Sequence, residues 1–335
     1  MERKLVTIRI ISKIIPIKNA DFIELAFVDG WQCIVKKDEF KAGDKALYFE
    51  IDSFLPIRSE FEFLRKSHYK KIQETGEEGF RLRTIRLRDQ ISQGLLLPID
   101  TFPEINTNDE NTDLSEILSV KKWDPPLPAQ ISGIAKGVFP SFIPKTDVER
   151  IQNLINEYPN KYRGKIFEVS IKVDGTSMTV YKKDDIIGVC SRNLELKEND
   201  DNSLWKVAKK GPIQSLQTEN KNYALQGELV GPGIQKNPEK LKELTFLIFE
   251  IFDIDKQSYL SSEDRIKFVN KYSLNHVPIL DTVDFFNKYN TIDEILASSK
   301  GKSLQSDIRE GIVCKLINKG NIKFKIINND YLLFE

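Results

Sequence analysis

Lys172 and Asp174 stand two residues apart in the run Ile171-Lys172-Val173-Asp174-Gly175-Thr176, closing an apolar stretch that begins at Ile166. Side chains of an extended chain alternate between faces, so the amine and the carboxylate share one face. Gly175 then permits a sharp turn that lets a phosphate approach the backbone. The combination suits a lysine that acts as a nucleophile. An ordinary lysine is neutral in only about one molecule in a thousand at neutral pH, so such a residue needs cations or a metal ion nearby. In isolation the run reads equally as a surface strand ending in a turn.

Further charged groups follow in a fixed order. They are Ser191-Arg192-Asn193, then Gln226-Gly227-Glu228-Leu229-Val230-Gly231, then Phe246-Leu247-Ile248-Phe249-Glu250. Arg309-Glu310-Gly311-Ile312-Val313-Cys314-Lys315 and Lys323-Phe324-Lys325 complete the series. Order, spacing and apolar flanks resemble the motif series of the covalent nucleotidyltransferase superfamily, which comprises DNA ligases, RNA ligases and mRNA capping enzymes. The resemblance implies that Lys172 attacks the α-phosphate of ATP, expels pyrophosphate and forms a lysyl-AMP. It makes Asp174, Glu228 and Glu310 the carboxylates that position Mg or Mn, directly or through the ion's waters. Lys323 and Lys325, on one face of a strand, are expected to hold the phosphates and to depress the basicity of Lys172. Ile171 and Arg192 join the nucleotide site, Arg192 offering a fork of donors to ribose or phosphate oxygens. Phe246 is the candidate to stack on adenine, with core packing its alternative and Phe249, on the opposite face, its competitor. Glu250 is assigned a supporting role.

The elements that must position these residues are legible in outline. A chain of 335 residues exceeds a single core and predicts two domains. Residues 1–100 read as short strands: Leu5–Ile17, Phe22–Val28, Trp31–Val35, Lys45–Ile51, Phe80–Arg88 and Gly94–Ile99, with a turn at Asp29-Gly30. This pattern predicts a small β-barrel of the OB type over residues 1–122, a fold that commonly docks nucleic acid. Pro125, Pro126, Pro128, Pro140 and Pro144 mark residues 123–145 as a connector. Residues 146–335 are expected to form a mixed nucleotidyltransferase domain with antiparallel sheets, so the fold class is α+β. The capping-box spacing Thr146 to Glu149 predicts a helix over 147–158. Strands are predicted at Ile166–Val173, Thr179–Tyr181, Ile186–Val189, Tyr223–Leu229, Phe246–Phe252, Gly311–Ile317 and Lys323–Ile327. Helices are predicted at Ser262–Tyr272 and Thr291–Ser298, and Lys197–Ser203 reads as a mobile polar loop.

Domain order narrows the resemblance. DNA ligases and capping enzymes carry an OB domain after the last motif, whereas here the chain ends ten residues past Lys325 and the barrel comes first. That arrangement resembles an RNA ligase branch, as do Arg83–Arg88, Ser92–Pro98 and Phe139–Asp147. The branch implies sealing of 3′-OH/5′-phosphate nicks in duplexes whose 3′-OH strand ends in RNA, in RNA repair, by a monomer. A DNA ligase, a guanylyltransferase and a non-enzymatic OB-fold nucleic-acid-binding protein are the alternatives. Lys+Arg 50 against Asp+Glu 50 gives no net charge, so nucleic acid must be met by local patches. The most basic region holds Arg65, Lys66, Lys70, Lys71, Arg81, Arg83, Arg86 and Arg88, with Glu74, Glu77 and Glu78 compensating; strand alternation keeps the four later arginines from facing one ligand. Cys33, Cys190 and Cys314, odd in number and scattered, argue against a disulfide framework. With His68 and His276 alone, a His-rich zinc site is excluded. No signal or membrane-spanning stretch is evident, which predicts a cytoplasmic or nuclear protein.

Overall fold

The computed structural model describes residues 3–73, 75–110, 112–124, 133–317 and 319–334. The chain divides into two compact units, Met1–Leu127 with Leu332–Glu335, and Pro128–Tyr331. Pro125, Pro126 and Pro128 of the expected connector, and Glu74, lie outside the described residues.

The first unit is built from short antiparallel strands. Val6–Ile10, Lys45–Phe49 and Leu95–Leu97 form one sheet, and Lys13–Pro16, Ile23–Val28 and Trp31–Lys36 a second. A third sheet contains Ser53–Pro56, Tyr69–Lys71, Glu78–Arg81 and Lys121–Lys122, and Ile85–Leu87 pairs with Gln90–Ser92. Alternation in Lys45–Phe49 serves two cores, with Leu47 and Phe49 on one side and Ala46 and Tyr48 on the other. Asp29 and Gly30 both have positive φ, 47° and 82°, as the tight turn between Ile23–Val28 and Trp31–Lys36 requires. The barrel strands expected from the sequence are present, but two long ones are divided. Leu5–Ile17 breaks at Ile11-Ser12, where Ile11 turns wholly into the second core. Phe80–Arg88 breaks after Arg81, because Leu82 stays buried in the first core while its amide bonds Ser53.

The second unit holds the two sheets that matter for chemistry. The smaller has the order Ile279–Asp284, Ile166–Lys172, Gly311–Leu316, Lys323–Ile327, all antiparallel. Among the described residues the larger has eight strands. Its centre runs Ile186–Cys190, Thr176–Lys183, Tyr223–Val230 and Thr245–Asp253, with Ala135–Val138 and Ser258–Tyr259 outermost and Asn275–His276 joining in parallel. The chain crosses between the sheets through Val173-Asp174-Gly175. Period-two alternation makes the smaller sheet two-faced. Phe167, Ile312, Cys314, Phe324 and Ile326 fill an aromatic core on one side. Glu168, Ser170, Lys172, Lys315, Lys323 and Lys325 occupy the other face, against the larger sheet.

Ser262–Lys271 and Ile292–Ala297 are helices as expected, Ser261 capping the first and Thr291 with Glu294 forming a capping box on the second. The helix predicted over 147–158 does not form. Glu149 and Arg150 pair instead with Lys325, whose amide bonds the Glu149 carbonyl at 2.8 Å; only a 3-10 turn at Ile151–Asn153 and a helix at Tyr158–Tyr162 follow. Sheet pairing overrides the local capping signal. Ser203–Ala208 and Pro212–Glu219 are helices that periodicity did not show. The tract before them is tied down: Asn202 caps the first helix, and Lys209 holds Glu198 and Asp200, each at 2.6 Å. No helix among the described residues is long and apolar enough to cross a membrane.

The charged face of the smaller sheet is stabilised from behind by Arg265, which is 1% exposed. Its Nη2 donates to both oxygens of Glu168 at 2.6 Å, its Nε donates to His276 Nε2 at 2.9 Å, and Nη1 lies 3.6 Å from Glu250. Burial, and then Arg265, lower His276 to about 4, so the ring is a neutral acceptor. Removing one member of a buried ion pair strands the other charge at a cost of about 3–5 kcal/mol. Arg265→Met is therefore expected to lower the stability to urea by about that amount; a loss below about 1 kcal/mol would show the network to be dispensable.

Candidate active site

A cavity of about 370 Å³ opens between the two sheets. Ile171, Lys172, Lys315, Lys323 and Lys325 line it from the smaller sheet, Glu228, Phe249 and Glu250 from the larger. Thr146, Asp147, Gln235 and Arg192 complete its rim. Its size and mixed lining suit a nucleotide.

Three glycines allow close packing of neighbouring strands within its walls. A Cβ on Gly175 would collide with the Leu229 carbonyl and with Val230 Cγ1 at 2.7 Å. One on Gly227 would meet the Leu247 carbonyl and the Phe246 ring at 2.6 Å, and one on Gly311 the Ile326 carbonyl. None of the three has positive φ. Gly175 is thus required for close approach of the neighbouring strand, and not for an unusual turn conformation.

Lys172 ends its strand opposite Gly311, and its Nζ donates to Glu310 Oε2 at 2.5 Å. Burial raises the Glu310 carboxyl more than the adjacent Lys172 lowers it. Glu228, on the larger sheet, is pushed up to about 7 by burial; Lys172 opposes the shift, and Glu310 and Asp174 add to it. Asp174 lies off the cavity lining and accepts the Tyr331 hydroxyl at 2.7 Å. Lys325 is brought down to about 8 by burial, then by Lys172 and Arg150. Burial likewise lowers Lys323, which sits 3.8 Å from Glu250 and 4.5 Å over the Tyr259 ring. The two lysines share one face of their strand, as alternation predicts, Lys325 beside Lys172 and Lys323 towards Glu250.

Arg192 lies on the turn between Ile186–Cys190 and Leu194–Leu196, exposed at the rim and paired with Asp147 at 2.6 Å. Phe246 is not at the site. It is buried in the core beneath the larger sheet, over Gly227. Phe249 lines the cavity in its place. Alternation alone sets Phe249 on the face opposite Phe246; a β-bulge follows, Gln226 pairing with Glu250 but Gly227 with Ile248, so Phe249 is the extra residue and alternation is reset after it. That reset brings Phe249 and Glu250 to the same cavity.

Lys315 was absent from the expected site. Its phase with Gly311 and Val313 was the available signal, since alternation puts it on the face of Lys172. Its Nζ donates to the Phe249 carbonyl at 2.7 Å and pairs with Glu250 at 3.2 Å. Gln235 and Tyr331 gave no sequence signal, because only tertiary folding brings them near. Among the described residues no group of three His, Cys, Asp or Glu side chains is close enough to hold an ion by itself.

A carboxyl raised to about 7 from 4.5 binds its proton more tightly folded than unfolded. Between those values the folded state carries more protons, so this contribution to stability is present in acid and is lost as pH rises through about 7. Glu228→Gln removes the cost of ionising a buried acid. The variant is expected to be more stable than the parent by about 1–3 kcal/mol near pH 8 and no more stable near pH 4.5. Thermal unfolding at the two pH values measures the difference, and a gap that is equal at both contradicts the assignment.

The comparisons agree with this architecture. A family model described as an OB-fold domain matches residues 5–99, and one described as RNA ligase matches residues 165–327. No curated protein matches the chain. Among solved structures, a lysine-to-methionine variant of the Naegleria gruberi RNA ligase with AMP and Mn is 46% identical, with a TM-score of 0.84 over 99% of each chain. A lysine-to-alanine variant with ATP and Mn has the same identity, TM-score and coverage. The Naegleria gruberi RNA ligase with pyrophosphate is 47% identical, with a TM-score of 0.82 over 99% of this chain and 98% of that one. A lysine-bearing turn between two sheets, an OB fold ahead of it and identity of this extent along the whole length leave one conclusion: the chain belongs to the RNA ligase family, in the branch with an N-terminal OB-fold domain.

Proposed function

We propose that this RNA ligase uses ATP to seal 3′-OH/5′-phosphate nicks whose 3′-OH strand ends in RNA, through a lysyl-AMP on Lys172 and an RNA-adenylate. The observation that carries the reading is the position of Lys172 Nζ, in the cavity wall and 2.5 Å from Glu310 Oε2. Loss of the ammonium proton frees the nitrogen lone pair. Glu310, raised by burial, is the acceptor in reach. The lone pair attacks the α-phosphorus, a phosphoramidate bond forms, and the bond to the β-phosphate breaks with departure of pyrophosphate. Lys323 and Lys325 counter the phosphate charge in a setting where water is scarce. Phe249 offers a face to the base, and Ile171, Glu228 and Arg192 complete the nucleotide contacts.

The relatives' complexes with ATP, AMP, pyrophosphate and Mn support the same substrate chemistry. The residues also fit a divalent cation. Glu228 is raised partly by Glu310 and Asp174, a repulsion that a cation relieves. Since no three carboxylates converge closely, Glu228, Glu310 and Asp174 would hold Mg or Mn largely through its water, as suits Mg in particular. Bound there, the ion supplies charge neutralisation at the α-phosphate.

The duplex partner and the domain assignment follow from the same reading. Residues 1–122 supply the nucleic-acid-docking barrel, 123–145 the connector and 146–335 the adenylylating domain. Within the barrel the basic run is partly neutralised, Arg65 by Glu62, Lys71 by Glu78 and Arg81 by Asp52, which leaves a limited phosphate-binding surface. The three cysteines are free and buried, as suits a reducing cytoplasmic or nuclear setting for RNA repair.

With α-labelled ATP and Mn, the protein is expected to carry an acid-labile label through denaturation, whereas Lys172→Met carries none. Chelation of the metal abolishes labelling, and Glu310→Ala slows it by about 100-fold or more. Nicks with RNA at the 3′-OH end are sealed and all-DNA nicks are not. Label persisting in Lys172→Met refutes the nucleophile; equal sealing of both nicks refutes the RNA requirement.

A further inference from the structure

Val173, Asp174 and Gly175 cross from one sheet to the other and therefore have few ladder partners of their own. Three side chains from outside the motif series take their place. Glu239, 2% exposed, accepts the Asp174 amide at 3.4 Å on one carboxylate oxygen and the Leu304 amide at 3.2 Å on the other. Gln235 Nε2 donates to the Gly175 carbonyl at 3.1 Å. Tyr331, in the helix Asn329–Phe334, donates its hydroxyl to Asp174 Oδ2 at 2.7 Å. The loop that carries Gln235 and Glu239 is itself firmly folded. Ile234, Asn237 and Lys240 each donate to the carbonyl three residues earlier, and the Asn237 side chain bonds both the amide and the carbonyl of Leu241.

We propose that Glu239, Gln235 and Tyr331 are positioning residues that clamp the turn after Lys172 and so fix the nucleophile for attack. The inference rests on the reading of Lys172 as the adenylylated residue. Its physical basis is twofold. A buried amide that loses its acceptor costs about 1–3 kcal/mol, so the turn shifts when Glu239 cannot accept. A displacement of about 1 Å in a reacting group costs about 100-fold in rate, so a small shift is felt at Lys172 Nζ. Tyr331 acts on the carboxylate of Asp174, Glu239 and Gln235 on the backbone either side of it. The clamp therefore links the nucleophile to three parts of the chain that share no sequence motif with it.

Glu239→Gln keeps the shape but places an NH2 group against one of two N–H donors. Tyr331→Phe keeps the ring and removes one hydroxyl. Gln235→Ala, at an exposed position, removes one bond with little risk to folding. Hydrogen–deuterium exchange of the full chain, without ATP or metal, is expected to quicken several-fold over residues 173–176 in Glu239→Gln and Gln235→Ala. Exchange in the Val6–Ile10 strand stays unchanged. With ATP and Mn, Tyr331→Phe and Gln235→Ala are expected to lower the rate constant of adduct formation at saturating ATP by about 10-fold, with KM for ATP within about twofold. Unaltered exchange over 173–176 in both variants, or a raised KM with an unaltered rate constant, overturns the proposal. If the parent protein forms no adduct, the reading of Lys172 fails, and the exchange measurement alone then decides whether the clamp holds the turn.

Discussion

One face of the four-stranded sheet carries Glu168, Ser170, Lys172, Lys315, Lys323 and Lys325, and the fold covers that face with a second sheet. A charged surface can be buried only if every charge finds a counter-charge. The rest of the unit follows from how that condition is met. At the back it is met for Glu168. Burial alone raises Glu168, but Lys315 and Arg265 outweigh it and hold the carboxylate ionised. At the front it is met in part: burial pushes Glu228 up to about 7 and brings Lys325 down to about 8. The incompletely compensated charge thus lines the cavity, Glu228 and Lys325 near Lys172 and Lys315 and Lys323 near Glu250. A triphosphate and a divalent cation are ligands that would complete it, the cation beside Glu228 and the phosphates beside Lys323 and Lys325.

The same constraint explains the glycines and the bulge. Two sheets joined by a three-residue crossing must approach closely at that point. At Gly175 the space a Cβ needs is taken by the Leu229 carbonyl, and at Gly227 by the Leu247 carbonyl and the Phe246 ring. At Gly311 it is the Ile326 carbonyl that intrudes, within the smaller sheet. These approaches let neighbouring strands pack closely within each wall, beside Lys172 and Glu228. Beside Gly227 the ladder slips by one residue, which leaves Phe249 unpaired and sets Glu250 on the same, cavity-facing side. Lys315 then holds the freed Phe249 carbonyl region in place with a 2.7 Å bond.

The sequence conveyed whatever depends on local pattern. Alternating apolar residues disclosed the strands that bear Lys172, Glu228, Lys323 and Lys325 and the one that Glu310 immediately precedes, and the Thr291–Glu294 capping box disclosed its helix. It misled where a long-range partner competes with a local signal. Thr146 to Glu149 has helix-start spacing, yet pairing with Lys325 draws the segment out straight. Phe246 and Phe249 lie on opposite faces by alternation, and which face meets the cavity is decided only when the two sheets pack. Tyr331 and Glu239 lie 157 and 65 residues from Asp174, and no periodicity reaches that far.

In the proposed reaction, the Lys172–Glu310 contact bears on how a lysine would become a nucleophile without a strong base. Moving a proton from the ammonium to the carboxylate leaves the net charge of the pair unchanged, so the surroundings need not resolvate a new ion. Burial has already raised the affinity of Glu310 for that proton. Lys325, itself brought down to about 8 by burial and by Lys172, is a second cation beside the pair. In the proposed reaction a cation near Glu228 would offset part of the triphosphate's charge and polarise the phosphate under attack. Under the proposed reaction Glu310 would serve twice, accepting the proton of Lys172 and adding its charge to the acids that would face a cation.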